Sequence, residues 1–240
     1  CEQLSPFDYY NLGVFQNYLA GIKAELARIE PNPDDKRRLL EEAMSTWEKC
    51  LDLCDKATPY LARTGKTDFF VAIRNYQDNY ATLLTRLYSL THKSEYLRKA
   101  IEISQKAIES AIKLDMVSLI AESYWKIAKA QDELEEYSKA AENFTHATES
   151  YTKASEKIPQ LKDLYQDYAS YMQAWSEIER ALHHHKRQEY ELAKKHFEKA
   201  TNLHKSLKQW SYLAPNYEAW TQIENAEDLS RKEQSEEALQ

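Results

Sequence analysis

Five of the chain's seven histidines fall in one segment: His183, His184 and His185 in a row, then His196 and His204. Imidazole is the commonest protein metal ligand, so this cluster is the first chemistry to weigh. Successive residues of a helix point about 100° apart, so three in a row cannot close on one ion. The run therefore reads as a solvated turn, and no metal is expected there. Cys50 and Cys54 lie one helical turn apart, but no histidine or carboxylate set accompanies them. They read as small buried hydrophobes. Gly65-Lys66-Thr67 matches the end of a phosphate-binding loop, yet Tyr60 stands where the first glycine belongs and no strand pattern precedes it. Thr67 reads instead as a helix cap before Asp68. With no metalloprotease histidine motif, nucleophile elbow or glycine-rich cradle, no catalytic residue and no cofactor are expected.

Charge narrows the partners. The chain has 32 basic and 39 acidic residues, a net of −7, the wrong sign for a backbone-binding nucleic-acid protein. From Lys186 to Lys208 the balance reverses locally, with seven basic and three acidic residues, which reads as a solvated face. No run of 18 apolar residues occurs, so no membrane span is expected. The three cysteines, Cys1, Cys50 and Cys54, make no disulfide framework, which points to a reducing compartment and a cytoplasmic location. A mature bacterial lipoprotein also begins with cysteine. Here Ser5 already caps a helix, leaving almost no tether, and a piece of a longer protein is the expectation.

The elements that must position these residues are helices. Only three glycines and six prolines occur in 240 residues, so turns are few and short. Ser5-Pro6-Phe7-Asp8 starts a helix that runs to about Glu30. Gly13 and Gly21, eight apart on it, read as points of close backbone approach. Pro31-Asn32-Pro33-Asp34-Asp35 caps a second helix to about Ala57, with Leu39, Leu40, Ala43, Trp47, Cys50, Leu51 and Cys54 inward. Thr58-Pro59 breaks it, and residues 58–67 read as a loop with a left-handed turn at Gly65. Further helices span Asp68 to about Thr91, a stretch capped by Ser94 to about Leu114, two within 121–151, one from the boundary at Pro159 to about His185, Gln188 to about Lys208, and Tyr212 to about Leu229.

Residues 165–193 align without gaps on 210–238, a period of 45: Trp175, Ile178, Glu179 and Ala181 recur as Trp220, Ile223, Glu224 and Ala226. The clearest helical pair lies at 121–151, where Tyr124, Ile127 and Ala128 on one helix face Ala140, Phe144 and Ala147 on the next. This pattern resembles the tetratricopeptide repeat. Gln131 stands where that family has an aromatic and Thr152 where it often has proline. The alanines that anchor the second helices, Ala43, Ala100, Ala140, Ala193 and Ala238, are 57, 40, 53 and 45 residues apart, against 34 in the family. The longer pairs are similar to those of vesicle-fusion adaptors or 14-3-3 proteins. The resemblance implies an all-α, right-handed superhelical solenoid of about ten antiparallel helices, a single domain over 1–240, with its last apolar stripe uncapped and open to self-association.

It also implies function. In this family the first helices line a concave groove that holds a peptide or helix. The outward positions of those helices are Glu122, Trp125 and Lys129, then Gln173, Ser176 and Arg180, then Glu218, Thr221 and Asn225, with Thr82, Thr85 and Ser89 as a weaker counterpart. Tyr124, Ile127, Trp175, Ile178, Trp220 and Ile223 are expected in the core, and Lys194, Lys195 and Lys199 on the convex side. The expected function is a protein-interaction scaffold with a protein or peptide partner. The alternative is a ligand- or peptide-sensing regulatory domain of a larger effector protein.

Overall fold

The computed structural model describes residues 5–64 and 67–237; Cys1, the Gly65 turn and Ala238 lie outside them. Nine α-helices and no strand occur among the described residues, in two compact units, Cys1–Met116 and Val117–Gln240. The first holds α1 (Pro6–Ile29), α2 (Pro33–Leu61), α3 (Asp68–Thr91) and α4 (Ser94–Lys113). The second holds α5 (Val117–Glu133), α6 (Tyr137–Lys157), α7 (Lys162–Lys186), α8 (Tyr190–Ser206) and α9 (Ala214–Glu237). Within each unit every helix packs on the next in sequence.

Local chemistry sets most boundaries. The Asp8 amide donates to Ser5 Oγ (3.2 Å) and the Ser5 amide to Asp8 Oδ2 (2.9 Å), a closed capping box before Pro6. Asn32 Oδ1 accepts from the amides of Asp34 (2.9 Å) and Asp35 (3.3 Å) to start α2. With so few glycines, the helix ends use other residues. His92, Asp115, Glu135 and Gln188 all take positive φ. At Glu135 and Gln188 the backbone closes as glycine usually does: Glu136 N bonds Gln131 O (2.8 Å) and Glu189 N bonds His184 O (3.0 Å).

Five expectations are corrected. The helix α2 continues past Thr58-Pro59 to Leu61; so near a helix end the proline ring removes a single bond, and the Thr58 hydroxyl binds back to Cys54 O (2.8 Å). Thr67 precedes α3 without a side-chain cap bond, and Lys93, not Ser94, holds the cap position of α4. Gly13 is a close approach, since a Cβ there would lie 3.0 Å from Cys54 Sγ, but a Cβ on Gly21 would meet nothing within 4 Å. Eight residues overshoot two turns by about 80°, which rotates Gly21 off the packed face. Finally, nine helices stand among the described residues rather than ten. The period of 45 calls for a turn near Lys232-Glu233, where α9 runs on unbroken to Glu237.

The unit 1 core gathers Leu40, Trp47, Cys50, Cys54, Tyr80 and Leu84. The neighbouring Cys54 thiol and burial both push the Cys50 thiol up, which keeps it protonated and inert. In unit 2, Phe144 of α6 is fully buried and stacks on Trp175 of α7 (5.9 Å), and Phe197 of α8 repeats the contact on Trp220 of α9 (5.6 Å). Ile127 and Ile178 are buried, but Ile223 is 45% exposed.

Candidate functional surfaces

The nine groove candidates do not form one surface. Trp125 is half-buried, edge-on to Tyr171 of α7 (6.3 Å). The Lys129 ammonium sits 4.6 Å above the Trp175 ring, a cation–π contact that occupies both. Ser176 and Thr221 are buried, not outward. The Ser176 hydroxyl donates to Ala141 O of α6 (2.9 Å), and Thr221 binds back to Tyr217 O (2.9 Å). The helix-facing stripe of α7 therefore includes a position that the repeat pattern assigns to the groove. Arg180 donates to Glu177 Oε1 (2.8 Å) and to Thr145 Oγ1 of α6 (3.2 Å). Asn225 accepts from Lys194 Nζ (2.8 Å), so these two cannot lie on opposite faces. Glu122 is half-buried, Gln173 and Glu218 are exposed, and Lys205 lies 3.4 Å from Glu218. Thr82, Thr85 and Ser89 are exposed, each with its hydroxyl bonded to the carbonyl one turn back.

The histidines are not a solvated turn. His183 to His185 lie in the last helical turns of α7. His184 Nδ1 is 2.6 Å from Glu189 Oε2, His196 Nδ1 is 2.6 Å from Glu177 Oε2, and the two rings stack at 5.3 Å. His204 is fully buried, stacked on Tyr217 (5.4 Å). Carboxylates meet the histidines here, and among the described residues no group of three or more metal-type ligands is arranged to hold an ion. The basic segment is likewise paired: Lys186 with Glu135, Arg187 with Glu189, Lys195 with Glu191 and Lys199 with Glu177.

Glu179 and Glu224, which replace the small Ala128 of the first pair, are both fully buried. Neither Glu179 oxygen has a hydrogen-bond partner among the described residues. Burial first, then the charge of Asp132, raises its pKa to about 8, with Lys129 opposing. Burial also raises Glu224, opposed by His185, whose Nδ1 lies 2.8 Å away but off the line of a hydrogen bond.

One surface escaped the sequence reading. Helix α1 buries Gly13, Ala20, Ala24 and Ala27 on one side. On another it exposes Phe7, Phe15, Tyr18, Ile22, Leu26 and Ile29, each between 47% and 67% accessible. Four of these border an open groove of about 500 Å³, with Trp47 of α2 and Asn79 of α3 on its other walls. Asn17 Oδ1 accepts from Trp47 Nε1 (3.0 Å) and fixes that indole. The signal was present as two apolar stripes on one helix, small residues on one and large on the other. No helix among the described residues is long and apolar enough to cross a membrane. No protein-family model matches the chain, and no curated protein matches it significantly.

Proposed function

We propose that this protein is a helical-repeat scaffold, a right-handed solenoid of tetratricopeptide kind, that holds an amphipathic helix or apolar peptide segment. The single observation that carries the reading is the exposed face of α1. Six large side chains at about 60% exposure amount to roughly 700 Å² of apolar surface, at or above the largest patch usual for a monomer. Such a surface costs solubility unless something covers it, and a groove beside it supplies shape as well as area. This groove is the preferred anchor over Trp125 and Arg180, because in unit 2 those side chains are already engaged within the fold.

The experiment places a photo-crosslinking residue at Ile22 in the full-length protein, in its own cells, with Lys139 as an exposed control position on α6. A discrete adduct with a second protein at position 22, absent at 139 and lost when Leu26→Glu is added, supports the reading. Adducts that are equal at both positions, or an adduct at 22 with another part of the same chain, overturn it.

A further inference from the structure

We propose that the pocket between α6 and α7 binds a phosphate-class oxyanion. It has a volume of about 350 Å³, with Ser138, Thr145 and His146 on the α6 wall and Arg180, His183 and His184 on the α7 wall. Apart from Thr145, whose one proton goes to Ala141 O (2.9 Å), these side chains can donate hydrogen bonds, and they gather in a chain whose net charge is −7. Glu142 is the one acidic residue in the lining.

The donors are held in place before any ligand arrives. Glu177, 7% exposed, takes one nitrogen of Arg180 at 2.8 Å, and Thr145 takes the other terminal nitrogen at 3.2 Å. Thr145 is itself tied to Ser176 (2.9 Å). A guanidinium has five N–H groups, so these two bonds leave the rest of the fork for a ligand. The His184 ring is fixed twice, by Glu189 at Nδ1 (2.6 Å) and by stacking on His196, which Glu177 holds in turn. That leaves the Nε2 of His184 without a hydrogen bond among the described residues. The His183 ring, edge-on to His184 (5.6 Å), and the exposed Ser138 hydroxyl make no hydrogen bond to another described residue. Fixed donors cost little reorganisation on binding, which is what charge-assisted recognition of phosphate needs. They come from two helix walls rather than from one plane, a geometry that suits a tetrahedral anion better than a flat carboxylate. The opposing Glu142 sets the affinity at the weak end. The site is distant in sequence from the α1 groove and does not rest on the function proposed for it.

The test uses the whole chain labelled at histidine, with ring signals followed by NMR at fixed pH. The probes are inorganic phosphate and a blocked phosphoserine, each against sodium chloride of matched ionic strength. We expect the His183 and His184 signals to move saturably, half-way at ~1 mM phosphate. Arg180→Gln should weaken this about tenfold or more, as loss of a charge-assisted bond does. If Arg180→Gln fails to fold because Glu177 loses one of its partners, His183→Gln decides, since that ring makes no hydrogen bond to another described residue. Blocked phosphoserine binding at least as well as phosphate identifies a phosphorylated side chain as the source, and phosphate binding alone identifies a free anion. Equal shifts with chloride, or wild-type affinity in the folded variants, overturn the proposal.

Discussion

The removal of Glu179 is the most informative perturbation of unit 2. Its proton is held to about 8 in the fold against an ordinary 4.5, whereas the unfolded chain releases it near the ordinary value. Between these two values the native state binds more protons, so stability falls as pH rises and levels off above the upper one. Each pH unit costs at most ~1.4 kcal/mol. The window of about 3.5 (8 − 4.5) sets a ceiling of roughly 5 kcal/mol. Water reaching the ionised carboxylate lowers that figure, yet half of it is a large share of a domain's ~5–15 kcal/mol. Glu179→Gln keeps the volume and removes the titration. Urea unfolding followed by tryptophan fluorescence should find the two proteins within ~1 kcal/mol near pH 5. Above about pH 8 the Gln variant should be the more stable by at least ~2 kcal/mol. Asp132 and Glu224 are also raised and lower both proteins together, and His204, lowered by burial, acts at the acid end in the opposite sense. Parallel curves for the two proteins across this range would refute the argument that Glu179 is buried without a partner.

Three further outcomes follow from the packing. Phe144→Ala should cost ~3–5 kcal/mol in the same assay, since Phe144 is fully buried against Trp175; a loss below about 1 kcal/mol would mean the ring is not in the core. Gly21→Ala should stabilise by roughly 0.5–1 kcal/mol, because its Cβ enters open space, whereas Gly13→Ala should destabilise against Cys54. Thermal melts that shift the same way for both would contradict the close approach at Gly13. Lys129→Met removes the one cation that lowers Glu179, so the gap between Glu179 and Gln at high pH should widen on that background; an unchanged gap would show that the two do not interact.

Much of the fold was legible because its determinants are local. The capping box at Ser5, the Asn32 cap and the bounds of α3 depend on a few neighbouring residues, and they appear as read. The misreadings have the opposite character. Ser176 and Thr221 occupy outward positions of the repeat pattern, but α7 and α9 are rotated so that these hydroxyls face inward. The α1 face was missed because its alanine stripe satisfied the expected packing, and nothing in periodicity says which of two apolar faces is covered.

The amino-acid pattern by itself determined an all-α fold, most of the segments that form helices, and the burial of Phe144, Ile127 and Ile178. These follow from hydrophobic periodicity and short-range hydrogen bonding, which act within a few residues. Tertiary structure alone decided that His184 and His196 are braced by Glu189 and Glu177, that Arg180 turns toward α6, and that Glu179 is sealed from water. Those outcomes depend on the rotation of each helix about its axis relative to the next. That rotation is set by the fit of whole faces, Phe144 on Trp175 and Phe197 on Trp220, and no single stretch of sequence contains both sides of such a contact.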